Sequence, residues 1–491
     1  MKYKAAGAAA CLCAMLLSAV LAVFAGQTET RYHQHMEATE KAQCTHGEDV
    51  FCTHLPLVQI NTNDAEIPGR SVFDQNGYLT GYTQTPDGQD SIFAEITITD
   101  QKNTNNHIGD LAALNSRIII HVRGNSSRSF DKASYAVRLV TDSGENNPQS
   151  IMGMDAHHEW VLHGPFLDKT LMRNYMWYNI AGEIMDYAPN VRFCEVMLNG
   201  DYQGIYVMAE TITAGKNGAR LNLSVNKKSN TFSGYLLQLD RGSTDPLKNI
   251  SQFSDYTQRA QSLLNIEYPG ADNLTEELSE AIRQDFSRFE KALYSYDFDD
   301  PKYGYRSFLD MESFADYFIL NELTCNYDAG SLSTYIYKDT DRKLRLCIWD
   351  FNSACDAYQD TIILPQHFEM QNCLWYVMLI KDEAFVEKII SRYQSLRKTY
   401  LSDEYLNDYI DGVISYLGPA IERNYEKWGY TFGEEYDLLK PTERNPRTYE
   451  EAVEKMKSFL EARTAWLDEN IESLRQYCAE SRVKKFNENA N

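Results

Sequence analysis

An α+β fold, β-rich in its first half and helical in its second, is what this chain predicts. Three observations carry it. Residues 55–140 hold β-branched runs that alternate apolar and polar side chains between turn-rich spacers. Residues 193–210, FCEVMLNGDYQGIYVMAE, place two alternating strands around Asn199-Gly200. That dipeptide tolerates the positive φ angles of a type I′ hairpin turn. After residue 275, apolar residues recur every three or four positions, the period of a helix.

The chain opens on Lys2-Tyr3-Lys4, followed by an uncharged run from Ala5 to Ala25 and then Gly26. A basic start, an apolar stretch and a small-residue end read as a secretory signal. The run of 21 residues is also long enough for an uncleaved anchor. Either way the bulk of the chain is expected outside the cell. Residues 26–54 are polar and read as a linker, with His33 and His35 on a solvated stalk. One domain is expected over 55–478 and a frayed tail over 479–491.

Within that domain LPLVQINT, SIFAEITITD, SRIIIHVRG and YAVRLV read as strands, and WVLHGPF as a strand end. Residues 167–185 read as a helix with Asp168 as its cap. SGYLLQLDR at 233–241 is a further strand. Helices follow at 275–295 and 305–325, the second with Met311, Phe314, Ala315, Phe318 and Ile319 on one face and Asp310 as cap. Residues 333–351 read as a second hairpin with Asp339 to Lys343 at its tip. Val453, Met456, Leu460, Leu467, Ile471 and Leu474 trace one face of a C-terminal helix.

Lys and Arg number 47 against 70 Asp and Glu, a net charge of −23 over 491 residues. That balance argues against a nucleic-acid surface, which demands clustered positive charge. Eight cysteines follow residue 25, and an even count in an exported chain suggests disulfides. Cys44 and Cys52 are close enough for a local staple. With no Cys-x-x-Cys, a zinc cluster is not expected.

The chemistry concentrates in two places. Asp328 follows directly on a predicted helix end, and Asp350 ends the second strand of the 333–351 hairpin. Two carboxylates placed this way can converge on one point, and Mg²⁺ uses only one or two protein carboxylates beside its waters. Phosphoryl transfer needs an Asp to orient the attacking hydroxyl and a Lys to hold donor phosphates. Arg123-Gly124-Asn125-Ser126-Ser127-Arg128, with Lys132 beyond, is a Gly/Ser turn beside a strand, able to offer N–H groups to phosphate. Taken singly, each pattern equally fits a capped turn or a plain hairpin loop.

Together the motifs resemble the spore-coat protein H (CotH) kinase family. RGNSSRSFDKASYAVRL, DKTLMRNYMWYNIA, VMLNGDYQGIYVMAETI, SGYLLQLDR, NYDAGSLSTYIYKD and LRLCIWDFN carry the resemblance in order, over roughly 55–475. It implies an atypical protein-kinase-like fold of two lobes that phosphorylates secreted proteins on Ser, using ATP and Mg²⁺ or Mn²⁺. By that resemblance Lys132 anchors phosphate and Asp328 orients the acceptor hydroxyl. Asp350 holds the metal, with Asn352 and Ser333 as further ligands. Arg123, Asn125, Ser126 and Glu210 fall on the nucleotide side, and 206–212 resembles the hinge beside the adenine. The family usually carries Asn where Ser333 or Thr334 stands and a second Asp where Asn352 stands, so this site bears one negative charge less. Three readings follow: an active secreted kinase, a degenerate nucleotide-binding or scaffold protein, and a carbohydrate- or surface-binding module suggested by 12% aromatics.

Overall fold

Seven strands close into a barrel: β1 (Leu57–Asn61), β2 (Ile92–Thr99), β3 (Leu114–Arg123), β4 (Ser134–Val140), β5 (Glu159–His163), β6 (Val191–Leu198) and β7 (Asp201–Glu210). The computed structural model describes residues 31–478 apart from 40, 42–46, 48–49, 216–219, 251–261 and 340–342. The expected signal or anchor at 1–25, the tail at 479–491 and Cys44 therefore lie outside the described residues. Strand order is β5-β7-β6-β1-β2-β3-β4, with β4 returning to β5. Neighbours run antiparallel except β6 and β1, which pair in parallel from Glu195 opposite Leu57. Closure leaves no free edge to template aggregation.

Period-two alternation fills the barrel with Ile118, Ile120, Val137, Leu139, Tyr206 and Met208. The opposite face of β7, Ile205, Val207 and Ala209, turns to the core of the second half. The hairpin forms as read: Asn199 and Gly200 have φ of 51° and 86°. Asn199 then secures the turn, accepting from the Thr62 amide at 2.8 Å and donating to the Thr62 hydroxyl at 2.8 Å.

The second half holds more sheet than its helical pattern suggests. Strands β8 (Tyr235–Asp240), β9 (Asn249–Ile250), β10 (Leu263–Tyr268), β11 (Thr334–Lys338) and β12 (Leu344–Cys347) form an antiparallel sheet in the order β9-β10-β8-β11-β12. The longer helices are α1 (Arg173–Ile184), α2 (Glu276–Leu293), α3 (Met311–Thr324), α4 (Glu383–Leu396), α5 (Asp403–Leu417), α6 (Pro419–Trp428) and α7 (Tyr449–Asn470). The molecule is thus mixed α+β, β-rich first and mainly helical later. Asp310 caps α3, accepting from the Glu312 and Ser313 amides, while the residues before it form only a single 3₁₀ turn at Tyr305–Ser307. The predicted face of the C-terminal helix is buried throughout, although the α-helix ends at Asn470 and a 3₁₀ segment carries Ile471 and Leu474. Among the described residues no helix is long and apolar enough to cross a membrane.

Two expectations need correction. The polar segment read as a solvated stalk is docked where it is described. His33 and Gln34 are buried; the Gln34 side-chain amide donates to the Phe193 carbonyl and accepts from the Phe193 amide at 2.7 Å. Cys194, Cys325, Cys347 and Cys355 are buried free thiols.

Helix α6 ties the barrel to the helical half. A register shift follows Val196, and Gly204 opposite it has φ 93°. A Cβ at Gly204 would meet Asn424 Oδ1 at 2.4 Å, so glycine lets the helix approach. Asn424 Oδ1 accepts from the Ile205 amide at 3.1 Å and from Lys132 Nζ at 2.7 Å. Trp428 donates to the Gln203 carbonyl, and Arg423 pairs with the fully buried Glu195. Asn424→Ala strips two buried donors of their acceptor and should cost about 2–4 kcal/mol by urea unfolding. Adding Lys132→Met to that variant should recover at least half of the loss, because the uncompensated ammonium is then gone.

Candidate active site

A cavity of about 560 Å³ lies where the barrel wall meets the ends of β8, α3 and β12. Val161, Val207 and Ala209 give it an apolar wall from β5 and β7. Arg123, Asn125 and Ser126 line it from the turn after β3. Asp328 and Ser333 enter from the loop after α3, and Asp350 and Asn352 from the loop after β12. Seven of the nine side chains expected at the site line this cavity, and they arrive on three loops.

Asp350 is the most constrained of them. Its φ is 58°, the left-handed region that Asp tolerates better than most residues. Helix α1 holds it there: the Asp350 amide donates to the Tyr178 hydroxyl at 3.0 Å, and the Phe351 amide to Asn174 Oδ1 at 2.7 Å. Asn326 donates to the Asp350 carbonyl at 3.2 Å, linking this loop to the one carrying Asp328. Arg173 extends the hold by donating to the Ala354 carbonyl at 2.9 Å. Arg173 is itself fixed by a buried ion pair with Asp168, whose carboxylate also accepts from the Thr170 and Arg173 amides. Asp168 therefore organises the start of α1 as expected, but through a short loop, because the helix begins only at Arg173.

Asp240 is a site residue that sequence reasoning missed. It ends β8, and pairing of Leu239 with Thr334 sets it beside Ser333. Its Oδ2 accepts from the Ser333 amide at 3.3 Å and from Gln238 Nε2 at 3.1 Å. Ser333, with φ 48°, is thereby held at the cavity edge. The signal was present in SGYLLQLDR: a carboxylate at a strand end, the same argument applied to Asp350.

The Gly/Ser turn is rigid. Gly124 has φ 109°, and a Cβ there would meet Ser127 Oγ at 1.9 Å. Arg128 locks the turn by donating to the Gly124 and Gly69 carbonyls, with its guanidinium over Tyr82 at 4.2 Å. Arg123 stays at the cavity, over the Trp349 ring at 5.7 Å.

Lys132 and Glu210 are not in the cavity. Lys132 is 2% exposed, beneath α6, with its ammonium 2.7 Å from Asn424 Oδ1 and 5.3 Å from the Tyr206 ring centre. It precedes the first residue of β4, so strand alternation does not carry it to the face of Ser134, which does line the cavity. Burial pushes its pKa well down. Glu210 falls on the other face of β7 from Val207 and Ala209, where its Oε2 accepts from the Asn190 amide at 2.9 Å.

The carboxylates load one another. Burial, then the neighbouring Asp350, pushes Asp328 up to about 7, and Asp240 adds to it. Burial raises Asp350 as well, against the pull of Arg123. Asn352 Oδ1 is buried with no hydrogen-bond partner. Two carboxylates and an orphaned amide oxygen form an all-oxygen donor set that fits a hard divalent cation such as Mg²⁺ or Mn²⁺.

A family model described as CotH kinase protein matches residues 120–467, most of the chain. The chain belongs to the CotH kinase family. The match begins within β3, just before the Gly/Ser turn, and ends within α7, so it spans all three loops of the CotH cavity. No curated protein matches the chain.

The Asp328 carboxyl gives a pH test. Its pKa in the fold lies above the ordinary 3.8, so ionisation disfavours the folded state, and stability is lost as pH rises from about 4 through 7. Asp328→Asn should raise the Tm of metal-free protein at pH 8 by about 2–4 °C and leave it nearly unchanged at pH 4. Thermal unfolding at the two pH values checks this; an equal gain at both contradicts it.

Proposed function

We propose that the chain is an exported protein kinase that moves the γ-phosphoryl group of ATP to a Ser or Thr hydroxyl of an extracellular or coat protein. The observation that carries this reading is the meeting of Asp328, Asp350 and the unpaired Asn352 oxygen in one cavity inside the family-matched region. Membership of a kinase-like family and an oxygen donor set both support ATP and a divalent cation as its partners.

In this reading Asp350 and Asn352 hold the cation, with Asp240 and Ser333 beside them. Held there, a divalent cation would supply positive charge against the transferring phosphate. Asp328 aligns the acceptor hydroxyl and takes its proton as the new O–P bond forms and the bond to ADP breaks. A carboxyl poised near 7 suits that exchange, since it is neither fully ionised nor locked as an acid. Arg123 faces the donor phosphates, the part assigned to Lys132 by resemblance, and the Gly/Ser turn offers its backbone N–H groups. Val161, Val207 and Ala209 supply the apolar wall against which the adenine ring lies. The N-terminal run supports export; a membrane tie follows only if that segment is kept.

The burial of Lys132 favours a second reading, a nucleotide binder that transfers slowly or not at all. One set of variants separates the two. ATP with Mg²⁺ should raise the Tm of the wild type, and Asp350→Ala should abolish that rise. Asp328→Ala should keep the rise and reduce phosphoryl transfer to a Ser-bearing acceptor at least ~100-fold. Asn352→Asp should lower the Mg²⁺ midpoint of the thermal shift about three- to tenfold, because a carboxylate adds Coulomb attraction for a hard cation. Binding without transfer in the wild type selects the second reading; no ATP-dependent shift rejects both.

A further inference from the structure

A second cavity, of about 620 Å³, opens on the helical half between α5, the turn before it and the docked 31–36 segment. It shares no lining residue with the kinase-family cleft. Its walls are rings. Tyr400 and Tyr405 meet at 5.6 Å and 86°, Tyr405 and Tyr409 at 6.0 Å and 49°. His35 lies against Tyr409 at 4.3 Å and 60°. Rings set this steeply to one another form a concave corner rather than a stack.

The hydroxyls of two of these tyrosines are already engaged. Tyr400 donates to Glu183 at 3.2 Å, and Tyr409 shares a hydrogen bond with His33 Nδ1 at 3.1 Å. A buried acceptor or donor is left open in the corner: His35 Nε2 has no partner, while its Nδ1 bonds the Tyr175 hydroxyl at 3.0 Å. Room for the His35 ring comes from Gly412, where a Cβ would press on Cδ2 at 3.1 Å. Glu404 and Asp408 line the rim, one helical turn apart on α5. No lysine or arginine lines the cavity among the described residues. The guanidinium of Arg31, on the docked segment, is spent on Asn179 and the Ala188 and Pro189 carbonyls. Burial holds His35 down to about 4, so its imidazole adds no positive charge at neutral pH.

We propose that this cavity binds an organic ammonium ion of the trimethylammonium class, its charge set against the rings of Tyr400 and Tyr405 and the carboxylates of Glu404 and Asp408. Aromatic faces carry negative potential, and a methylated ammonium loses little hydration on entering an aromatic corner. A metal ion would instead need oxygen or nitrogen ligands that converge, and the two rim carboxylates are exposed side chains with no inner partner.

The test is calorimetric titration of the whole protein with choline, with Nε-trimethyl-lysine and with 3,3-dimethylbutanol, the uncharged isostere of choline. Saturable choline or trimethyl-lysine binding, at least about tenfold tighter than the isostere, is expected. Whichever of the two binds tighter identifies a free small amine or a modified side chain as the source. Tyr405→Ala should weaken binding at least tenfold and Tyr405→Phe should keep it. Because Tyr405→Ala disturbs a half-buried ring, the double charge removal Glu404→Gln, Asp408→Asn is a second arm on exposed positions, with a loss of about three- to tenfold expected. Absence of saturable binding by either ammonium, equal binding of the isostere, or unchanged affinity in both Tyr405→Ala and the rim variant overturns the proposal. ATP and Mg²⁺ dependence is read separately and bears on the other cavity.

Discussion

Everything in the kinase-family cleft depends on how α1 holds the backbone at Asp350. A non-glycine residue at φ 58° persists only where its surroundings over-determine it. Here Tyr178 and Asn174 receive two consecutive amides, Asn326 donates to the carbonyl, and Arg173 holds the same loop four residues on. The Asp168–Arg173 ion pair is buried, so its worth lies in orienting Arg173 more than in raw stability. Losing it would release an uncompensated charge beside the loop that carries the proposed cation ligands.

The same loops concentrate negative charge. Asp240, Asp328 and Asp350 share a cavity in which Arg123 is the guanidinium set against Asp350. In water such repulsion is small, but at a partly dehydrated site it shifts the balance toward protonated carboxyls or bound cations. The orphaned Asn352 oxygen adds a lone pair without adding charge. Under the proposed reading a bound cation would offset this charge, and without one burial and repulsion favour the protonated form of Asp328.

Local chemistry was legible in the sequence; tertiary facing was not. The Asn199-Gly200 turn, the Asp310 cap and the buried face of Val453, Met456 and Leu460 each follow from interactions within a few residues. Convergence of Asp328 and Asp350 was legible because each directly follows a recognisable element. Barrel closure was not, since it rests on parallel pairing of β1 and β6, more than 130 residues apart in the chain. Lys132 was misplaced because alternation is defined only inside a ladder, and it lies ahead of one. Glu210 was misplaced by parity, one residue from the cavity-lining Ala209. His33 and His35 looked solvated because a polar segment can dock through hydrogen bonds and rings without any apolar run to announce it.

The glycine at 204 has a consequence for motion. By admitting Asn424 against the β7 backbone, it makes the barrel and the helical half share hydrogen bonds at Ile205, Gln203 and Lys132. Two lobes joined by a flexible strap can swing; two bodies bonded along a strand cannot do so without breaking buried contacts. Entry and exit of a ligand are then left to side chains at the rim of the cleft, since Arg128 locks the turn at Gly124. That makes the mouth, and not an interlobe angle, the part of the protein that sets exchange.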